Sequence, residues 1–106
     1  MDEKTILEII INAGDAKKYA YEALENAKKG NFSETGKLLD QADQALSKAH
    51  EAQTDALCQE ANGENSIPTL LTVHCQDHLM TSMSEISLVK ELIELYRSRE
   101  IKKGDE

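Results

Sequence analysis

The sequence has few of the residues that build large cores or disulfide frameworks. It contains no Trp, one Phe and three Tyr, and the spacing of its two cysteines, Cys58 and Cys75, fits no disulfide framework. A chain of 106 residues with so few large side chains buries only a modest core on its own. We therefore expect one domain, built from well-packed long helices or completed by a partner subunit.

Basic residues and long apolar runs are also scarce. The chain has 12 Lys and Arg against 20 Asp and Glu, which gives a net charge of −8. This balance disfavours nucleic acids and anionic membrane surfaces as partners, because both attract basic proteins, and it favours a basic protein partner. No stretch reaches the ~20 apolar residues that a membrane-spanning helix needs, and the N-terminal segment lacks a signal-peptide cleavage site. We expect a soluble, cytoplasmic protein without membrane insertion.

Helix-breaking residues are few, and they cluster at two places. One cluster is Gly30-Asn31, and the other runs from Gly63 to the only proline, Pro68. Between them apolar residues recur at helical spacing, and no segment alternates with period two. The pattern predicts an all-α, antiparallel up-down-up three-helix bundle, a single domain spanning the whole chain, with helices at about 3–29, 32–61 and 68–100.

Local features refine this expectation. Asn31 and Glu34 have the spacing of a capping box at the start of the second helix, and Cys58 falls on the apolar side of that helix, which predicts a core position. Gly14 lies inside the first helix, where glycine costs about 1 kcal/mol relative to alanine, and we interpret it as a point of close helix packing. Because three helices alone leave apolar surface exposed, we expect a homo-oligomer.

The third predicted helix carries ionisable residues where an apolar stripe is expected. His74, Asp77, His78 and Thr81 share a face and continue the stripe that begins at Leu70 and Leu71 and resumes at Leu88 and Leu92. Cys75 points away from this face. Burying such groups costs several kcal/mol unless they are paired, metal-bound or near water. The face is therefore either a solvated patch or a functional site.

Two kinds of chemistry fit the cluster. His74 and His78, with Asp77 beside them, have the spacing of metal ligands, and His50 of the second helix is a candidate further ligand. Alternatively, a neutral imidazole is a nucleophile that can accept a phosphoryl group, while a second imidazole one turn away donates a hydrogen bond to the phosphoryl oxygens. Spacing alone does not choose between a structural metal site in a helical adaptor and covalent catalysis.

The residues around the cluster form a motif that is more specific than the spacing alone. Residues 73–81 read VHCQDHLMT, which resembles the active-site signature of lactose/cellobiose-type enzyme IIA proteins of the bacterial phosphoenolpyruvate-dependent sugar phosphotransferase system. The stretches INAGDA at 11–16, AHEAQT at 49–54 and ELY at 94–96 agree with the same family. Cys75 is a departure, since a small residue such as Ala or Gly is common there.

The resemblance implies a homotrimer in which His74 carries the phosphoryl group. It places Asp77 on the three-fold axis, where it binds a divalent metal, Mg²⁺, shared with its symmetry mates, and it places His78 in the active-site neighbourhood. The implied phosphoryl donor is the small phosphocarrier HPr, and the acceptor is a cysteine of the cognate enzyme IIB. His50 and Gln53 are either groove-lining residues or an interior hydrogen-bonded pair. The sequence does not reveal the sugar, because specificity lies in the membrane component.

Overall fold

In a computed structural model, the described residues, 1–63 and 69–105, form three helices and no strand. The helices are α1 (Glu3–Lys28), α2 (Phe32–Ala61) and α3 (Leu70–Asp105). The all-helical prediction is confirmed, and the first two helices lie within one residue of their predicted bounds. The third helix continues past its predicted end at residue 100, and its predicted start at Pro68 lies outside the described residues.

Contacts between the helices establish the up-down-up arrangement. Lys90 pairs with Asp43, and Gln53 bonds to Gln76, so α2 and α3 run antiparallel. Between α1 and α3, Gly14 lies opposite His78 and Lys17 pairs with Glu85. The residue numbers rise together along both helices, so α1 and α3 run parallel. Within the described residues, no helix is both long and apolar enough to cross a membrane.

The hydrogen bonds at the turn between α1 and α2 differ from the predicted ones. Gly30 takes the left-handed conformation with φ 79°, which glycine adopts without strain. Asn31 forms no side-chain cap, because its ψ of 66° lies outside the extended conformation that a capping residue usually takes. The predicted capping box with Glu34 is therefore wrong. The buried hydroxyl of Thr35 instead donates to the carbonyls of Ala23 and Asn31, which ties the first turn of α2 to α1.

Alanines on α1 determine how the helices pack. The inward face of α1 carries four fully buried alanines: Ala13, Ala16, Ala20 and Ala23. Because these side chains are short, α1 packs along both other helices, whereas α2 and α3 touch each other at few points. The resulting bundle measures 62 × 21 × 16 Å with a radius of gyration of 17.1 Å. A compact domain of this length has a radius of gyration of about 13 Å. The bundle is therefore elongated, and much of its side-chain surface is exposed to solvent.

The buried face of α3 is not the predicted stripe. The side chains that pack inward are Cys75, Leu79, Ser82, Ile86, Val89 and Ile93. Leu70, Leu88 and Leu92, which were predicted to be buried, are 87%, 66% and 45% exposed. The helix has two apolar faces about a third of a turn apart, and the face with the β-branched residues packs against α1. Cys75, which points away from the histidine face as predicted, is a core residue, whereas Cys58, which was predicted to be in the core, is exposed.

We predict that Ser82→Ala stabilises the fold. The hydroxyl of Ser82 is buried and has no hydrogen-bond partner among the described residues, and an unsatisfied buried hydroxyl costs free energy. Ser87→Ala on the exposed side of the same helix is the matched control for helix propensity. In urea denaturation at equal chain concentration, Ser82→Ala should raise the free energy of unfolding about 1 kcal/mol more than the control does. Equal effects of the two substitutions contradict this reading.

Candidate functional site

His74 and His78 form an adjacent pair of imidazoles on α3. Their ring centroids lie 6.4 Å apart and the ring planes differ by 11°. Neither ring hydrogen-bonds to another residue in the described part of the chain, so the nitrogens remain available for chemistry. The predicted neighbour Thr81 is turned back onto its own helix, because its hydroxyl donates to the carbonyl of Asp77 at 2.8 Å.

His78 faces α1 at Gly14. A methyl group built on Gly14 would lie 3.9 Å from Nε2 of His78, which is ordinary contact, and would meet no other atom of a neighbouring helix within 4 Å. The prediction that Gly14 serves close helix packing is therefore wrong. The helices do not approach closely enough there to exclude a methyl group. The neighbouring Asp15, whose role the sequence left open, is exposed on the surface of α1.

An ionised carboxylate lies on the same side of α3. The hydroxyl of Tyr21 donates to one oxygen of Glu85, and Nζ of Lys17 lies 2.9 Å from the other. These two hydrogen bonds hold the pKa of Glu85 below its usual value, and the charge of nearby His78 adds to the lowering. The sequence pattern did not single out Glu85. Its position two turns after His78 was the available signal that the two share a face.

Asp77 lies apart from this network. Its side chain is exposed on the same face as Leu88 and Leu92, and its carboxylate pairs with no other side chain in the described ranges. No three His, Cys, Asp or Glu side chains of the described chain come together as a metal site. The metal alternative with all its ligands from one subunit therefore finds no support in this arrangement. The exposed carboxylate of Asp77 is accessible to ligands from outside the chain.

His50 and Gln53 do not form the interior pair that was one of the two predictions for them. Gln53 donates to the side-chain oxygen of Gln76. His50 is exposed in a groove of about 430 Å³ between α2 and α3, beside Met83 and the 2.7 Å ion pair of Asp43 and Lys90. His78 borders α1 instead. His50 therefore does not join His74 and His78 within one chain.

Cys75 is in the core directly beside His74. Its thiol donates to the carbonyl of Thr72 at 3.2 Å and lies 3.7 Å from Sδ of Met1. Burial raises the pKa of Cys75, because the thiolate loses contact with water. Cys58 on α2 is exposed. The cysteine within the signature is therefore a packed small residue that leaves the neighbouring imidazole free.

We predict that a thiol reagent distinguishes the two cysteines. At about pH 8 the exposed Cys58 should react rapidly, because its thiolate is accessible, whereas buried Cys75 with its raised pKa should react only on unfolding. The measurement is the number of thiols modified with time in native protein and in urea. Cys58→Ser should leave the native protein nearly unreactive. Rapid modification of native Cys58→Ser protein contradicts the burial of Cys75.

Known proteins resemble this chain in both sequence and fold. Residues 4–97 fit the family described as "PTS system, Lactose/Cellobiose specific IIA subunit". The lichenan-specific phosphotransferase enzyme IIA component of Bacillus subtilis (strain 168) is 45% identical over 94 residues, which cover 89% of this chain and 86% of that protein. Among solved structures, the cellobiose-specific enzyme IIA of Bacillus anthracis superposes with a TM-score of 0.90 at 36% identity, over 96% of this chain and 95% of the other.

A second solved structure adds a partner. The IIA(Chitobiose) protein of Escherichia coli, solved in complex with HPr, superposes with a TM-score of 0.81 at 40% identity, covering 92% of this chain and 95% of that one. The family match over residues 4–97 extends along nearly the full length of α1, α2 and α3. The chain therefore belongs to the lactose/cellobiose-specific IIA family of the sugar phosphotransferase system.

Proposed function

We propose that this chain is a cytoplasmic phosphocarrier that accepts a phosphoryl group from HPr on His74 and passes it to a cysteine of its cognate enzyme IIB. The observation that carries the proposal is the accessible, unbonded imidazole of His74 within the family signature, one turn from a second free imidazole. The complex of the chitobiose homologue with HPr supports the identity of the donor.

The transfer needs only a nucleophilic nitrogen and a stabilised phosphoryl group. A ring nitrogen of His74 attacks phosphorus with its lone pair, and the bond between phosphorus and its donor atom on HPr breaks, with the electron pair of that bond returning to the donor atom. In the second half, the thiolate of the enzyme IIB cysteine attacks phosphorus and the bond to His74 breaks. The electron pair of that bond returns to the ring nitrogen, which restores the free imidazole of His74.

His78 is the group best placed to assist. Its ring is one turn from His74 and nearly parallel to it, and its nitrogens have no hydrogen-bond partner among the described residues. In this proposal an N–H of His78 donates to a phosphoryl oxygen on His74 and stabilises charge as it develops. The carboxylate of Glu85, fixed by Lys17 and Tyr21, lies on the same side of α3 as this imidazole.

The exposed apolar face of α3 supports assembly as a homotrimer. Leu88, Leu92 and Leu95 form an uncovered stripe on a helix whose other apolar face is already packed. Burying such a stripe against its own copies removes apolar surface from water, and a three-fold arrangement closes without leaving a free end. We propose that the three copies of α3 meet along this stripe.

Asp77 lies on the same stripe, so three copies of its carboxylate would converge on the axis. Three like charges at short distance require a cation or added protons. Carboxylate oxygens suit a hard cation, and we propose that the Asp77 side chains of the three subunits hold a shared divalent metal, Mg²⁺. The metal supplies charge compensation at the axis, while the phosphoryl chemistry stays with the histidines.

We predict that His74→Ala abolishes phosphorylation and leaves the fold intact, because His74 is the proposed nucleophile and packs against little. The protein is incubated with the general phosphotransferase components and labelled phosphoenolpyruvate, and retained acid-labile label is counted. His50→Ala is the matched control, since it also removes an exposed histidine. Label that persists on His74→Ala, or disappears with His50→Ala, overturns the assignment.

We predict that the trimer depends on a metal through Asp77. A chelator should loosen the wild-type assembly, because three uncompensated carboxylates then repel each other. Asp77→Leu should assemble without that dependence, since apolar side chains can pack on the axis without an ion. Asp40→Leu, which removes an exposed carboxylate on α2, should keep the wild-type response. Sedimentation with and without chelator measures this, and a wild-type trimer indifferent to the chelator speaks against the axial role.

A further inference from the structure

Gly14 is a glycine that neither backbone conformation nor packing requires. It lies within α1, and among the described residues only Gly30 and Gly63 have positive φ. A methyl group on it would meet a neighbouring helix at one atom, Nε2 of His78, at an unstrained 3.9 Å. Alanine would also suit a helix better by about 1 kcal/mol. What glycine provides here, and alanine would not, is open space beside one imidazole nitrogen.

We propose that Gly14 is a positioning residue that keeps the approach to Nε2 of His78 open, so that a phosphoryl oxygen carried on His74 can accept a hydrogen bond there. This inference rests on the proposed phosphocarrier function. An acceptor oxygen must come within roughly 2.7–3.2 Å of the ring nitrogen. A methyl carbon 3.9 Å from the same nitrogen occupies the space that an oxygen needs on the side facing α1.

The surroundings of His78 are consistent with this role. The ring is partly exposed, and it has no hydrogen-bond partner in the described part of the chain, so its N–H groups are unused in the resting protein. One turn further along α1, Lys17 is held 2.9 Å from Glu85 and does not fill the space. The opening is therefore bounded by the α1 backbone at Gly14 and by the imidazole of His78.

The chain offers a matched control for the test. Gly36 is also a glycine inside a helix, and a methyl group there would meet nothing within 4 Å. Gly14→Ala and Gly36→Ala should both keep or raise the melting temperature, because both gain helix propensity. Only Gly14→Ala should slow phosphoryl transfer from HPr to His74, by about 10- to 100-fold, the order expected for one weakened donor.

A double-substitution cycle assigns the effect to His78. His78→Ala should itself slow transfer by about 10- to 1000-fold. Gly14→Ala should then cause no further slowing in the His78→Ala background, because the methyl group has no imidazole left to obstruct. An equal slowing in both backgrounds overturns the inference, since Gly14 would then act on the donor protein or on the helix rather than through His78.

A second readout does not depend on phosphoryl transfer. Diethyl pyrocarbonate acylates accessible imidazole nitrogens, and peptide mass analysis gives the rate at each histidine. Gly14→Ala should lower the rate at His78 severalfold and leave His74 and His50 unchanged, whereas Gly36→Ala should change none of them. Unchanged acylation of His78 overturns the inference. If wild type takes up label and Gly14→Ala takes it up equally fast, the inference about Gly14 is overturned while the proposed function stands. If wild type takes up no label, the proposed function and the phosphoryl role of Gly14 are both overturned.

Discussion

The close approach of α1 to both of its neighbours is the interaction on which the rest of the structure depends. A row of buried alanines, from Ala13 to Ala23, gives α1 a narrow inward face, so that α2 and α3 both pack against it and scarcely against each other. The same contact aligns α1 with α3 in parallel and brings Gly14 opposite His78 and Lys17 opposite Glu85. The alignment of α1 with α3 therefore determines which residues of α1 surround His78.

The packing also separates two tasks on one helix. The face of α3 that carries Leu79, Ile86 and Ile93 is buried against α1 and supplies the stability of the single chain. The face with Leu88, Leu92 and Asp77 stays uncovered and is available for assembly. His74 and His78 lie between the two faces, and His78 borders α1 at Gly14. The proposed nucleophile, His74, is thereby held by a rigid helix and exposed to partner proteins.

The electrostatics of the site follow from the exposure of its members. The carboxylate of Glu85 is ionised and fixed by Tyr21 and Lys17, so its charge is a constant feature beside His78. No side chain in the described part of the chain pairs with Asp77, which is consistent with the place proposed for it on the axis of an assembly. Cys75, although it lies within the signature, is shielded in the core and leaves the reacting face to the imidazoles.

The sequence by itself determined the three helices and their approximate bounds, because helical periodicity and the placement of Gly and Pro are local properties of the chain. It also predicted His74, Asp77 and His78 as site residues through a short contiguous signature, and their roles stay predictions. It did not determine which apolar face of α3 is buried, since Leu70 and Leu88 follow helical spacing as well as Leu79 and Ile86 do. That choice, the burial of Cys75, the separation of His50 from the pair and the opening at Gly14 were decided by the tertiary structure. The physical reason is that each of these features depends on which surface of a second helix packs against the residue. Periodicity along one helix does not specify that surface.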